Sequence, residues 1–127
     1  MGSWVQRVGA VTLFVEDLAQ ARRFYQEVFE LPVMYEDPNS AVFDFGGLLV
    51  NLLTTAAVPE LIEPAGLADP AAGARFQLTL NVPDVDAVCE RLAAHGVKLL
   101  NGPMDRPWGI RTAAFRDPAG HIWEVAG

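Results

Sequence analysis

An internal duplication limits what this chain can fold into more than any other feature of its sequence. Residues 11–18, Val-Thr-Leu-Phe-Val-Glu-Asp-Leu, return 67 positions later as residues 78–85, Leu-Thr-Leu-Asn-Val-Pro-Asp-Val. Each stretch alternates like a strand and then reaches Asp17 or Asp84, which is suited to cap a following helix. Because a repeated segment indicates a repeated structural unit, we expect one module built twice.

Both predicted helices are amphipathic and hold equivalent places in their modules. Apolar residues recur at helical spacing on one face of each helix. These residues are Leu18, Ala21, Tyr25 and Val28 in the first helix, and Val85, Val88 and Leu92 in the second. Phe24, Phe29 and Met34 are also expected to be core residues. The second helix is predicted to end at His95-Gly96, since glycine readily adopts the left-handed conformation that follows many helices.

The ends of the two halves match as well, with an offset of 73 residues. Residues 43–51 and 116–124 each run from a strand into a turn containing Asp and Gly, and then begin a second strand. Each half therefore reads as a strand, a helix, a strand of uncertain limits near residues 33–35 or 97–100, and a hairpin. The predicted fold class is α+β, made of two βαβββ modules.

At 127 residues the chain has the length of a single domain, with module one at about 5–53 and module two at about 75–127. The intervening residues 54–74 are rich in Pro and Gly, and a connection this long is uncommon inside a compact domain. Two interpretations remain open for it. One is an arm that crosses to a partner subunit, and the other is a surface loop with a short helix near residues 60–63.

Charge and composition exclude several classes of protein. The net charge of −7 and the lack of a basic stripe argue against a nucleic-acid partner or an anionic membrane surface. No stretch reaches the roughly 18 apolar residues of a spanning helix, and the first residues do not resemble a signal peptide. The one cysteine, Cys89, excludes an internal disulfide and is expected to be a small buried residue. We therefore expect a cytoplasmic protein.

The order of these motifs resembles the vicinal oxygen chelate superfamily, which contains glyoxalase I, extradiol dioxygenases, fosfomycin resistance enzymes and bleomycin-binding proteins. The matching segments are residues 11–18, 21–25, 31–33, 82–88, 108–109 and 116–124. The resemblance implies a half-open barrel with the helices outside and a cleft within. It also implies a homodimer, since small two-module members usually pair.

Metal-dependent members of that superfamily place ligands on the first and last strands of each module. The resemblance maps these positions onto Ala10, Asn51, Gln77 and Glu124. Only Glu124 offers a strong ligand, because alanine has no donor atom and amide oxygens bind transition metals weakly. His121 lies three residues from Glu124 and would point to the opposite face of a strand. The sequence therefore predicts no cofactor, and a divalent metal in particular is not expected.

The alternation of the strands predicts which side chains face the cleft. The predicted ligand-binding residues are Thr12, Phe14, Asn51, Gln77, Thr79, Asn81, Trp108, Arg111 and Glu124. Trp108 is expected to stack on a flat ligand or to pack on the adjoining strand, and Arg111 to pair with an anion or a backbone carbonyl. Glu124 is the candidate catalytic base or hydrogen-bond anchor, although a plain strand glutamate would fit the same position.

Three functions are compatible with this pattern. The first, which we rank ahead, is a metal-independent protein that binds a small, partly aromatic molecule, of the drug-sequestering type found among antibiotic-resistance proteins. The second is a lyase, isomerase or dioxygenase that uses Glu124 as a base or metal ligand. The third is an interaction or regulatory domain that has lost small-molecule binding.

Overall fold

Module one forms a four-stranded sheet with one long helix, in the computed structural model, which describes residues 2–127. Its elements are β1 (Ala10–Val15), α1 (Leu18–Glu27), β2 (Tyr35–Asp37), β3 (Ser40–Asp44) and β4 (Leu49–Thr54). The strand order is β1-β4-β3-β2, with β1 parallel to β4 and the other pairs antiparallel. The predicted strand near residues 33–35 is thus a short edge strand that begins at Tyr35.

The connection after β4 contains only short helical turns. They are a 3-10 turn at Thr55–Ala57, the four-residue helix α2 (Pro59–Ile62) and a 3-10 turn at Pro70–Ala72. The short helix expected near residues 60–63 is present, and most side chains of the connection are exposed. The chain divides into two compact units within this connection, one ending at Leu67 and the other spanning Ala68–Gly127.

Module two repeats the same order of elements. They are β5 (Gln77–Asn81), α3 (Val85–Ala94), β6 (Leu99–Asp105), β7 (Arg111–Arg116) and β8 (Ile122–Ala126). The strand order β5-β8-β7-β6 again joins the first and last strands in parallel. The predicted α+β class with two βαβββ modules is confirmed.

Strand register confirms the duplication and corrects one detail of it. Thr12 pairs with Asn51, and the residues 67 and 73 positions later, Thr79 and Glu124, pair in the same way. The offset of 73 is wrong for the preceding strand, because Val42 pairs with Asn51 whereas Ala114 pairs with Glu124. The offset there is 72, since the β7–β8 turn is one residue longer than the β3–β4 turn.

The helix termini form as the sequence predicts. The Asp17 carboxylate accepts a hydrogen bond from the Gln20 amide at 3.0 Å, and the Asp84 carboxylate accepts one from the Ala87 amide at 3.1 Å. His95 ends α3, and Gly96 follows it with a φ of 76°. Both caps satisfy amide groups that the first turn of a helix leaves without partners.

The core of module one is an aromatic cluster centred on Tyr25, between α1 and the sheet. The Tyr25 ring lies 5.0 Å from that of Phe29, 5.6 Å from that of Phe43 and 6.2 Å from that of Phe45. Met34 was expected in this core, and that prediction is wrong because its side chain is 57% exposed. Met34 lies just before the edge strand β2, where nothing packs over it.

Cys89 is buried on the inner side of α3, as expected, and we predict that its thiol reacts slowly. The pKa of the thiol is raised above its ordinary value, mainly by burial and to a lesser extent by the negative charge of Asp86. Because the thiolate is the reactive form, Ellman's reagent should modify native protein much more slowly than protein unfolded in guanidinium. Equal rates in the two states would contradict this placement.

Among residues 2–127, no helix combines the length and the apolar character that crossing a bilayer requires.

Candidate functional site

The sheet of module two has two chemically different faces. Trp123 and Val125 are buried on the face that carries α3, together with Ala113 and Phe115. The alternate residues of the same strands point away from α3. We call this second surface the open face; it consists of Gln77, Thr79 and Asn81 of β5, Thr112 and Ala114 of β7, and Ile122, Glu124 and Ala126 of β8.

Glu124 lies in the middle of the open face. Its Oε1 atom accepts a hydrogen bond of 3.0 Å from the Thr79 hydroxyl, which is directly opposite on β5. The carboxylate is half-buried, and its Oε2 atom has no hydrogen-bond partner among residues 2–127. Glu124 is thus an oriented carboxylate with one oxygen available to a ligand.

The equivalent position in module one is Asn51, paired with Thr12. The Asn51 Oδ1 atom is buried and finds no hydrogen-bond donor in the described part of the chain. Thr12 is exposed, and Phe14, two residues along the same strand, is half-buried. Asn51 therefore presents an unsatisfied neutral acceptor where module two presents a charged one.

Arg111 does not reach the open face. Its guanidinium donates hydrogen bonds to the Asp86 carboxylate from Nε at 3.2 Å and from Nη2 at 3.0 Å, and to the Asp105 carboxylate from Nη1 at 3.1 Å. The hydrogen bonds to Asp86, and to a lesser extent the one to Asp105, raise the pKa of Arg111 above its ordinary value. Asp86 belongs to α3, so the Arg111 side chain points to the face of the sheet that carries α3. The next residue, Thr112, points to the open face.

Arg106 is the cation that the sequence analysis missed. Its Nε donates to the Thr112 hydroxyl at 2.7 Å, and its Nη2 donates to the Asn101 side-chain oxygen at 3.1 Å. Thr112 is 1% exposed and belongs to the open face, so these bonds hold the guanidinium at that face. A hint was present in the sequence, because the alternation of β7 puts Thr112 on the Glu124 face and Arg111 on the other.

Trp108 lies in the loop that joins β6 to β7. Two backbone hydrogen bonds close this loop, from the Arg106 amide to the Ile110 carbonyl at 2.7 Å and from the Gly109 amide to the Arg106 carbonyl at 3.0 Å. The Trp108 side chain is 69% exposed, so it does not pack against the adjoining strand. Stacking on a ligand stays a prediction for this residue.

Gln77 and Asn81 are exposed on β5, on either side of Thr79. His121 lies in the β7–β8 turn, one residue before β8, where its amide donates to the buried Asp117 carboxylate at 2.9 Å. The use of Gln77 and Asn81 as ligand contacts stays a prediction.

A sequence model described as the Glyoxalase/Bleomycin resistance protein/Dioxygenase superfamily matches residues 7–125. The chain belongs to this superfamily. The uncharacterized protein YraH of Bacillus subtilis is 32% identical over 119 residues, which cover 91% of this chain and 93% of YraH. The family match of this chain therefore agrees with its fold of two βαβββ modules.

Two solved structures illustrate the similarity of fold within the superfamily. A glyoxalase/bleomycin resistance protein/dioxygenase from Nocardioides superposes with a TM-score of 0.87 at 23% identity, covering 98% of this chain and 85% of that one. A glyoxalase-related enzyme from Fulvimarina pelagi superposes with a TM-score of 0.83 at 29% identity, covering 96% and 88%. The predicted glyoxalase-type fold is confirmed by these comparisons.

The four residues that the resemblance places at the superfamily's metal positions do not fit a transition-metal centre by their chemistry. Ala10 provides no donor atom, Asn51 and Gln77 provide amide groups, and Glu124 alone provides a carboxylate. Across residues 2–127, no group of three or more His, Cys, Asp or Glu side chains is arranged to hold a metal ion. Stable transition-metal sites in proteins are built from several imidazole, thiolate or carboxylate ligands, and this set contains only one of them, the Glu124 carboxylate.

Proposed function

We propose that this superfamily member is a metal-independent small-molecule-binding protein, which binds a small, partly aromatic compound against the open face of module two. The observation that carries the proposal is the Glu124 carboxylate, fixed by Thr79 at 3.0 Å with its other oxygen available. Binding sites commonly combine apolar walls with a few oriented polar groups. Glu124 is such a group, and a ligand would reach it through an N–H or O–H donor.

The surroundings of Glu124 support a mixed polar and aromatic ligand. Ala114 and Ala126 are small, buried apolar neighbours of Glu124, and the exposed Gln77 and Asn81 add amide groups on the same face of β5. The exposed Trp108 indole, in the loop between β6 and β7, provides a flat surface on which an aromatic ring can stack. Such a site holds its ligand by shape and hydrogen bonds and needs no metal.

Amide-detected NMR tests this proposal on chelator-treated protein with a library of small aromatic compounds. Compounds that carry a hydrogen-bond donor should shift the amides of Thr79, Ala114 and Glu124. Glu124→Gln should weaken their binding about ten-fold, because it replaces a charge-assisted hydrogen bond with a weaker neutral one. Nickel, zinc, manganese and iron(II) should change neither the affinity nor the melting temperature.

Glu90→Gln is the matched control, since Glu90 is exposed on α3 and lies on the other side of the sheet. It should leave binding unchanged. Binding that requires an added metal, or amide shifts that avoid the open face, would overturn the proposal.

A second candidate function is a metal-free lyase or isomerase in which Glu124 takes a proton from the substrate. The free Oε2 atom favours it, because a general base must reach the proton that it removes. Glu124→Gln separates the two functions once a compound is found: the base assignment requires loss of turnover with affinity retained. The homodimer and the cytoplasmic location stay predictions.

A further inference from the structure

We propose that Arg106 recognises an oxyanion on the ligand, either a carboxylate or a phosphonate or phosphate group, at the open face of module two. This inference rests on the function proposed above and adds a substrate class to it. It assigns to Arg106 the anion-binding role that the sequence had suggested for Arg111.

The first argument is the orientation of the guanidinium. Two neutral acceptors, the Thr112 hydroxyl and the Asn101 side-chain oxygen, hold Nε and Nη2 at 2.7 Å and 3.1 Å. The Nη1 group has no acceptor among residues 2–127, and one N–H of Nη2 is also unused. A guanidinium with a free end is suited to bind a planar or tetrahedral oxyanion through two parallel hydrogen bonds.

The second argument is the difference between the two arginines at the ends of the β6–β7 loop. Arg111 is neutralised by the carboxylates of Asp86 and Asp105, at 3.0 Å and 3.1 Å. Arg106 is half-buried and forms no ion pair within the described residues. A partly buried charge without a counter-charge is unfavourable, so an anionic ligand would supply the missing partner.

The third argument concerns the charge pattern of the open face. Thr112, which holds Arg106, lies diagonal to Glu124 across β7 and β8, a backbone separation of about 7–8 Å in antiparallel sheets. Glu124 and Arg106 form no ion pair with each other and are oriented by different neutral partners. The open face thus offers the Glu124 carboxylate to a hydrogen-bond donor and the Arg106 guanidinium to an anion. This combination suits a ligand that carries both a donor group and an anionic group.

The probes for this inference share one aromatic ring and differ in charge: benzoate, phenylphosphonate, neutral benzamide and cationic benzamidine. Binding is followed at the Nε–H signal of Arg106, assigned by its loss in Arg106→Lys. Benzoate and phenylphosphonate should shift this signal and bind about ten-fold tighter than benzamide. Arg106→Gln should remove that preference, and Arg106→Lys should lose part of it, because lysine keeps the charge without the planar fork.

Arg23→Gln is the control for general electrostatic attraction. Arg23 is exposed on α1 of module one, so its replacement changes the net charge equally without altering the bonds from Arg106 to Thr112 and Asn101. The preference for anions should survive in this variant. The backbone bond from Arg106 to Ile110 is kept in every Arg106 variant, so the loop retains its closure.

Three results would overturn the inference. They are no shift of the Arg106 signal with either anion, equal affinity for benzamide and benzoate, and equal loss of the anion preference in Arg23→Gln and Arg106→Gln. Benzamide that binds at the Glu124 face without dependence on Arg106 would overturn the oxyanion assignment alone and leave the proposed binding function intact. Failure of every probe to bind would count against both.

Discussion

Replacing Phe43 with alanine should lower the free energy of unfolding by about 3–5 kcal/mol. Phe43 is 0% exposed, and its ring lies 5.6 Å from that of Tyr25 at the centre of the aromatic cluster. The loss combines the transfer of the ring to water with the cavity that remains between α1 and β3, which rigid neighbours fill only in part. Urea unfolding followed by circular dichroism measures the change.

Phe76→Ala is the matched control, because the Phe76 side chain is 54% exposed and lies just before β5. The same chemical change at this exposed site should alter stability by no more than about 0.5 kcal/mol. The loss of stability in Phe43→Leu should be smaller than in Phe43→Ala and larger than in Phe76→Ala, since leucine keeps part of the side-chain volume. A Phe43→Ala protein as stable as the Phe76→Ala protein would mean that the cluster does not enclose this ring.

Gly102→Ala should destabilise the protein by about 2–5 kcal/mol, the second large effect that we expect. Gly102 has a φ of 82°, where an L-residue with a Cβ atom is strained. An added Cβ would also meet the Thr112 carbonyl oxygen and would lie 2.9 Å from the Ala113 Cα. Both obstacles belong to the backbone of the paired strand β7, so neither can move without disturbing the sheet.

Gly109→Ala separates the cost of the positive φ from the cost of the collision with β7. Gly109 has a φ of 95°, but a Cβ there would meet nothing within 4 Å. It should therefore cost only the conformational strain, about 1–2 kcal/mol. The measurement is again urea unfolding, and equal losses for the two variants would show that β6 and β7 do not approach closely at Gly102. Because Thr112 also orients Arg106, Gly102→Ala should weaken binding of anionic probes as well.

The local features of this fold could be predicted from sequence because they depend on near neighbours. Asp17 and Asp84 cap their helices, and Gly96 follows the end of α3, through contacts within four residues. In β1 and β8, residues that alternate with the predicted cleft positions are buried, Leu13 and Trp123 among them. Met34 was misplaced because apolar character does not reveal that β2 is an uncovered edge.

The identity of the arginine at the open face depends on contacts that the sequence does not display. Arg106 lies in a loop, where no periodicity predicts the direction of a side chain. Its position results from acceptors on two other strands, Thr112 on β7 and Asn101 on β6. The role of Arg111 was likewise decided by Asp86, 25 residues earlier on α3.

The sequence by itself determined the duplicated α+β modules, the helix caps, and the inner and outer faces of the strands. These follow from residue chemistry and from periods of 2 and 3.6 residues, which are fixed by backbone geometry. Only the tertiary structure decided that Glu124 is held by Thr79, that Arg111 is neutralised and that Arg106 keeps a free guanidinium end. Those outcomes depend on strand register and on contacts between residues that are far apart in the sequence, which local sequence patterns do not specify.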